Sequence, residues 1–386
     1  MNLRELLKAW GRALNRCFPK RKNQILFESH SDYCDNTRAV YDELLRQGGA
    51  ERFRLIWCVK DPASFQADGI DPRTKLVSFQ RRKGFLRYFY WMATSGMVFY
   101  THHVPPFVNA KAQTVVNLWH GTPLKTIKGH IHPQELFGYL LSASDLVDDL
   151  LADSFELPDR SKLVQLGYPR NDLLFEQTGA LEKLGIHPKD QACVLLWMPT
   201  FRRPEGGRYQ DAETTPTGLP LIETAAQLEE LNRELEQRNL RLIIKLHPGQ
   251  DLTGVRLVHL SRIRMLTNQE LDRLGIQLYH LVGEADCLLT DYSSIYFDYL
   301  LLDRPIAFLI DDIAQYQQNR GFTVENALDL MPGEKIRTVS ELNGFLDRLA
   351  KGEDRFQEDR QRVNRRVNRW QDGESAKRFL ERFLPG

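Results

Sequence analysis

Two series of short, strongly apolar runs, each breaking into a polar turn, constrain this chain more than any other feature. The first series holds Gln24–Glu28 (QILFE), Phe53–Val59 (FRLIWCV), Met97–Tyr100 and Thr114–Leu118. The second holds Ala192–Pro199 (ACVLLWMP), Leu240–Pro248 (LRLIIKLHP), Ile276–Leu281, Ala285–Thr290 (ADCLLT) and Pro305–Ile310 (PIAFLI). Continuous apolarity over a few β-branched and aromatic residues marks strands covered on both faces, as in parallel sheets. Helical patterns fall between them, across Thr37–Gln47, Leu221–Arg238 and Ser294–Leu302, where crossovers are required. The chain of 386 residues has material for two cores. The fold class predicted is therefore α/β, with two doubly wound domains facing a central cleft and a polar stretch around 175–190 between them. The expected bounds are a basic helix over 1–22, domains over 23–180 and 181–370, and a C-terminal helix over 371–386.

In such sheets ligands bind beyond the carboxyl ends of the strands, so the residues after each run matter most. The richest segment is Leu288–Tyr299 (LLTDYSSIYFDY), where a strand gives way to a helix start. Unpaired N–H groups there suit phosphate, and the hydroxyls of Ser293 and Ser294 add to them; an ordinary N-cap is the alternative. After the strand at 114–118 come His120, Gly121, Thr122 and Lys125, which read as a general base in an anion-handling loop. His247, ending another run, either donates to a phosphate or caps its strand. Thr200, Arg202 and Arg203 place a hydroxyl and two guanidiniums at a third strand end, and Arg170 sits in the tight turn Gly167–Asp172. Donors and cations with few carboxylates point to a phosphorylated or nucleotide ligand, not a metal, and no P-loop, GxGxxG or HExxH motif is present. The five cysteines are scattered without metal spacing and fit a reducing compartment.

The net charge of +1 is unevenly placed. Arg4, Lys8, Arg12 and Arg16 form a stripe every four residues, opposed by Leu3, Leu7, Trp10, Leu14 and Cys17 or Phe18. A basic amphipathic helix of this kind reads either as a contact with an anionic membrane surface or as a helix packed on its own domain. Arg81, Arg82, Lys83 and Arg87, interleaved with Phe85, Leu86 and Tyr88–Trp91, offer a second such contact or an ordinary packed helix. The rest of the chain is net acidic, which disfavours nucleic acid as a partner. No segment has the length and apolarity of a membrane span.

The ordered motifs LWHGTPLK (118–125), GYPRND (167–172), MPTFRR (198–203), KLHP (245–248), TDYSSIYFDYLLLDRP (290–305), YQQNRGF (316–322) and DGESAKRFLERF (372–383) resemble those of the CDP-glycerol glycerophosphotransferase family of teichoic acid synthesis. The resemblance runs from about residue 24 onward. It implies two Rossmann-like domains in a GT-B arrangement, at the cytoplasmic face of the membrane, transferring glycerol phosphate from CDP-glycerol to a lipid-linked glycan and releasing CMP. It implies that His120 deprotonates the acceptor, that His247 with Ser293 and Ser294 holds the pyrophosphate, and that Asp298 and Arg320 belong to the donor site with Arg170, Thr200 and Arg202. No tightly bound cofactor is implied, and Mg²⁺ is not indicated. The family often carries an aromatic residue where this chain has Thr323, and a tryptophan where it has Phe201. Its shortness resembles the priming enzymes. A CDP-ribitol-using transferase and a nucleotide-sugar glycosyltransferase of the same architecture stand as alternatives.

Overall fold

The computed structural model describes residues 3–65, 67, 69–78, 84–126, 136–200, 217–247 and 259–384. They fall into two units: residues 1–122, 127–173 and 369–386 form unit 1, and residues 123–126 and 174–368 form unit 2.

Unit 1 is built on β1 (Arg21–Glu28), β2 (Arg54–Cys58), β3 (Lys75–Val77), β4 (Ser95–Tyr100), β5 (Thr114–Asn117), β6 (Tyr139–Ser142) and β7 (Leu163–Gln165). The strands lie in the order β3-β2-β1-β4-β5-β6-β7, every pair parallel. Unit 2 carries β8 (Cys193–Met198), β9 (Leu240–Lys245), β10 (Ile263–Leu266), β11 (Cys287–Thr290), β12 (Ile306–Leu309) and β13 (Glu334–Ile336). Their order is β10-β9-β8-β11-β12-β13, again all parallel. Both are doubly wound, parallel Rossmann-like sheets, as the sequence predicts for each domain. In each, the chain winds outward in opposite directions from two neighbouring central strands, β1 and β4 or β8 and β11. Ligand crevices of this fold open at that reversal. The central strands are sealed on both faces: Ile25, Leu26 and Phe27 in β1 and Cys287 and Leu288 in β11 have no exposed surface.

The run Ile276–Leu281, expected as a strand, is instead the start of a helix over Leu278–Glu284, and the strand beside β9 is Ile263–Leu266. A short apolar run carries no period of its own. Here Tyr279, Val282 and Gly283, at i, i+3 and i+4, turn inward together. Gly283 lies so close to the Leu174 carbonyl that no Cβ fits between them.

The boundaries also differ from those expected. The chain leaves unit 1 for unit 2 at 173/174, before the polar stretch, because Glu284 accepts hydrogen bonds from the N–H groups of Thr178, Ala180 and Leu181 (3.0, 2.9 and 2.9 Å). It returns at 368/369, and the helix Ser375–Phe383 closes unit 1. Asp172 accepts from the N–H groups of Ser375 (2.9 Å) and Ala376 (2.7 Å), and Phe379 packs edge-on against Phe99 of β4. The GYPRND turn is thus in part a clamp for the C-terminal helix. The helix Leu3–Asn15 also belongs to unit 1: Asn15 donates to the Phe107 carbonyl at 2.7 Å, and Gly11 sits against the Phe107 ring.

Asp172→Ala leaves the first two N–H groups of that helix without their acceptor. It should lower the unfolding free energy by about 1–3 kcal/mol, read from urea denaturation. An unchanged midpoint would show that the clamp contributes nothing.

Candidate functional site

In unit 2 the reversal point is locked by one carboxylate. Asp291, directly after β11, accepts from the Thr200 N–H with both oxygens (3.1 and 2.9 Å) and from the Thr200 hydroxyl (2.8 Å). Both residues are buried, and the Thr290 hydroxyl donates to the Met198 carbonyl at 2.9 Å. Thr200 therefore acts as a strut between the ends of β8 and β11. The helix Ile295–Tyr299 follows, with Ser294 in the N-cap position but without a side-chain capping bond. Among the described residues neither Ser293 nor Ser294 has a hydrogen-bond partner for its half-buried hydroxyl, so both remain available as donors. Asp298 faces inward and accepts from the Tyr279 hydroxyl at 2.6 Å, which ties its helix to Leu278–Glu284.

Residues 123–126 join this edge by pairing with the turn after Arg320. The Thr126 N–H donates to the Gly321 carbonyl (3.3 Å), the Thr323 N–H to that of Leu124 (2.9 Å), and Lys125 bridges to Phe322. The Thr323 hydroxyl donates to the Pro123 carbonyl at 2.8 Å. Arg320 immediately precedes this pairing and is half-buried. Lys125 lies 5.7 Å from the centre of the Tyr316 ring, which stacks on Tyr292 at 4.0 Å. At the end of β9, His247 keeps solvent access inside crowded surroundings. That crowding and the neighbouring Lys125 and Lys245 push its pKa below the usual imidazole range, with Asp291 opposing. Lys245, which the sequence reading did not single out, is buried and donates to the Leu246 carbonyl at 2.8 Å; burial lowers its ammonium to about 8. Arg202, expected in the same site, lies outside the described residues.

In unit 1 the reversal point holds histidines. His120 follows β5 on a loop fixed from two directions: Asn36 donates to the Leu118 and Trp119 carbonyls (3.1 and 2.9 Å) and accepts from the Arg170 N–H (3.0 Å). Trp119 is left-handed (φ 50°), and Gly121, at φ 121°, adopts a backbone conformation closed to residues with a Cβ. Thr122 is buried. Arg170, expected among the donor ligands, stands in this unit beside His120, paired with Asp35 at 2.8 Å. His102, after β4, places its Nδ1 3.4 Å from Nδ1 of His120. The His30 and His103 rings lie 4.8 and 4.4 Å from that of His102. Burial, then Arg170, His30 and His103, push His120 down to about 3. His102 is also pushed to about 3, by burial and then by His120, His103 and His30, with Asp35 opposing. Both rings are uncharged at neutral pH. A cavity of about 170 Å³, lined by Glu28, His30, Asp32, Lys60, Thr101 and His103, opens at the ends of β1, β2 and β4. The sequence reading missed His30, His102, His103 and Asn36, although Thr101-His102-His103 directly follows the apolar run ending at Tyr100. Among the described residues no group of His, Cys, Asp and Glu is arranged to hold a metal ion.

The N-terminal helix turns Leu6, Trp10 and Leu14 outward, Trp10 being 70% exposed. Gly11 and Asn15 face the domain; of the expected apolar stripe Trp10 and Leu14 are exposed, and the Leu3 and Leu7 side chains lie outside the description. Arg12 donates to the Pro106 carbonyl (3.1 Å), Arg16 is exposed, Lys8 is half-buried, and the Arg4 side chain lies outside the description. The helix Phe85–Thr94 buries Tyr88, Phe89 and Met92 yet exposes Leu86, while Arg81, Arg82 and Lys83 lie outside the described residues. Phe107 packs against Gly11, Phe85 and Phe89, so both helices rest on one ring. No described helix is long and apolar enough to cross a membrane.

A sequence model of the CDP-Glycerol:Poly(glycerophosphate) glycerophosphotransferase family matches residues 12–384. A teichoic acid poly(glycerol phosphate) polymerase of Staphylococcus epidermidis is 27% identical over 368 residues, covering 86% of this chain and 46% of that protein. The chain thus spans less than half the length of that relative. A teichoic acid glycerol-phosphate transferase of Staphylococcus aureus is 25% identical over 392 residues, covering 93% of this chain and 92% of that protein. Among solved structures, the wall teichoic acid polymerase TagF superposes with a TM-score of 0.73 at 22% identity, over 98% of this chain and 92% of that one. That likeness concerns the fold.

The two low histidine pKa values have a consequence for stability. Unfolded, His102 and His120 titrate near 6.5; folded, near 3. Between those values the unfolded chain binds protons that the folded one refuses, so their contribution is complete above 6.5 and is lost as the pH falls. Glu28, raised to about 7 by burial, acts in the opposite sense. The double variant His102→Asn/His120→Asn should therefore lose less stability than the wild type between pH 6.5 and 4 in urea titrations. Parallel pH curves for the two proteins would contradict the uncharged assignment.

Proposed function

The chain belongs to the CDP-glycerol:poly(glycerophosphate) glycerophosphotransferase family, and from that premise we propose that it transfers glycerol phosphate from CDP-glycerol to a hydroxyl of a lipid-linked glycan, releasing CMP. The observation that carries the reading is His120: an uncharged imidazole at the reversal point of unit 1, on a loop that Asn36 holds rigid. It takes the acceptor proton as the acceptor oxygen bonds to the β-phosphorus. The bond from that phosphorus to the bridging oxygen breaks, and CMP leaves with the electron pair. Arg170 disfavours the imidazolium in the empty site, and an anionic substrate offsets that penalty.

Donor holding falls to unit 2. Lys125, His247 and the hydroxyls of Ser293 and Ser294 supply fixed donors for the pyrophosphate, with Arg320 beside them. Thr200 and Asp291 keep the strand ends in register, and Asp298 holds the serine-bearing helix from beneath. Preset donors of this kind stabilise charge on a transferring phosphoryl group without reorganisation during the reaction.

The exposed Leu6–Trp10–Leu14 stripe, with the exposed Arg16 just past the end of its helix, supports a peripheral position on the anionic cytoplasmic face of the membrane.

Mass spectrometry of the reaction with CDP-glycerol should show CMP and an acceptor heavier by one glycerol phosphate; release of a nucleoside diphosphate would overturn the assignment. His120→Ala should lower kcat by about 10²–10⁴-fold, the range of a general base. Trp10→Ala/Leu14→Ala should weaken sedimentation with phosphatidylglycerol vesicles while leaving turnover of a soluble acceptor intact. Undiminished vesicle binding would remove the membrane role of this helix.

A further inference from the structure

We propose that His102 is a positioning residue that holds His120 in the tautomer required for proton transfer: Nδ1–H donated to His102, Nε2 bare toward the acceptor. This rests on His120 being the base. Two facing ring nitrogens 3.4 Å apart can form a hydrogen bond between neutral rings only when one ring is the Nδ1–H tautomer and the other the Nε2–H tautomer. The loop anchored by Asn36 directs the Nδ1 edge of His120 at His102, so the opposite edge, with Nε2, is left for substrate. Nε2 accepts a proton only if Nδ1 already carries one, and Nδ1 keeps it because His102 Nδ1 accepts from it. When the acceptor proton arrives on Nε2, the resulting imidazolium retains that hydrogen bond.

The groups around the pair fit a neutral acceptor in this place. His102 is faced by His120, His103, His30 and Asp35; His120 is faced by Arg170, His30 and His103. Asp35, the carboxylate in this set, is engaged by Arg170 at 2.8 Å. A carboxylate at position 102 would favour the imidazolium before substrate arrives. An imidazole there selects the tautomer and leaves His120 uncharged. The Thr101-His102-His103 strand end thereby acquires a role in the proposed reaction.

The test uses the full chain with ¹⁵N-labelled histidine and CDP-glycerol turnover. In the wild type at pH 7 the His120 Nε2 signal should fall in the unprotonated, pyridine-like range; a protonated Nε2 would overturn the proposal. His102→Asn and His102→Leu are nearly isosteric and differ in the acceptor oxygen. The Leu variant should lose kcat by about 10²–10³-fold with KM for CDP-glycerol within about threefold, and its His120 Nε2 signal should move toward a mixture of tautomers. The Asn variant should return to within about tenfold of wild-type kcat. Equal impairment of both variants, or full kcat in the Leu variant, would reject the role of His102. If His120→Ala abolishes turnover while His102→Leu does not, this inference fails and the base assignment stands. If His120→Ala retains turnover, the base assignment itself fails.

Discussion

Parallel strands cannot be joined by tight hairpins, so each connection passes over a face of the sheet and covers it. That geometric requirement governs both units. With both faces covered, the middle of a central strand has no place for a polar side chain, and the chemistry is displaced to the strand ends. In unit 1, His30, His102 and His120 follow β1, β4 and β5; in unit 2, Thr200, His247 and Asp291 follow β8, β9 and β11. The crevice at each reversal of strand order then collects residues distant in sequence. Asn36, for example, reaches the Leu118 carbonyl across 82 positions.

The same constraint explains which parts of the fold are legible in the sequence. β1, β2, β4, β5, β8, β9, β11 and β12 announce themselves because they lie at or near the sheet centres and each carries a buried apolar run. β3, β6, β7, β10 and β13 lie toward or at the sheet edges, with Lys75, Gln165, Arg264 and Glu334 among their residues, and leave no comparable signal. His120, His247 and Thr200 were legible as strand-end residues. The link between His102 and His120 was not, since it depends on β4 and β5 being neighbours, a property of the sheet order. Arg170 was grouped with the donor ligands on its motif, and tertiary structure places it with Asp35 and Asn36 instead. Ser294 was read as either a cap or an anion ligand; it occupies the cap position while its hydroxyl stays out of the helix.

The two units achieve different electrostatics at equivalent places. Unit 2 concentrates Lys125, Lys245 and His247 around the buried Asp291, a cationic edge suited to a diphosphate. Unit 1 gathers four imidazoles, of which burial keeps those of His102 and His120 uncharged, beside an arginine already engaged by Asp35. One fold thus yields two edges of different charge by changing which side chains follow its strands.

The return of residues 369–386 to unit 1 also bears on how the protein is made. During synthesis the ribosome delivers all seven strands of the first sheet before the helix that Asp172 clamps and Phe99 receives. The second unit, begun later, has its whole sequence by residue 368 and is the first able to finish folding. Vectorial folding from the N-terminus, the usual order for multidomain chains, is reversed here at its last step. Until residues 369–386 emerge, the first unit has all seven strands of its sheet but leaves the Phe99 surface uncovered.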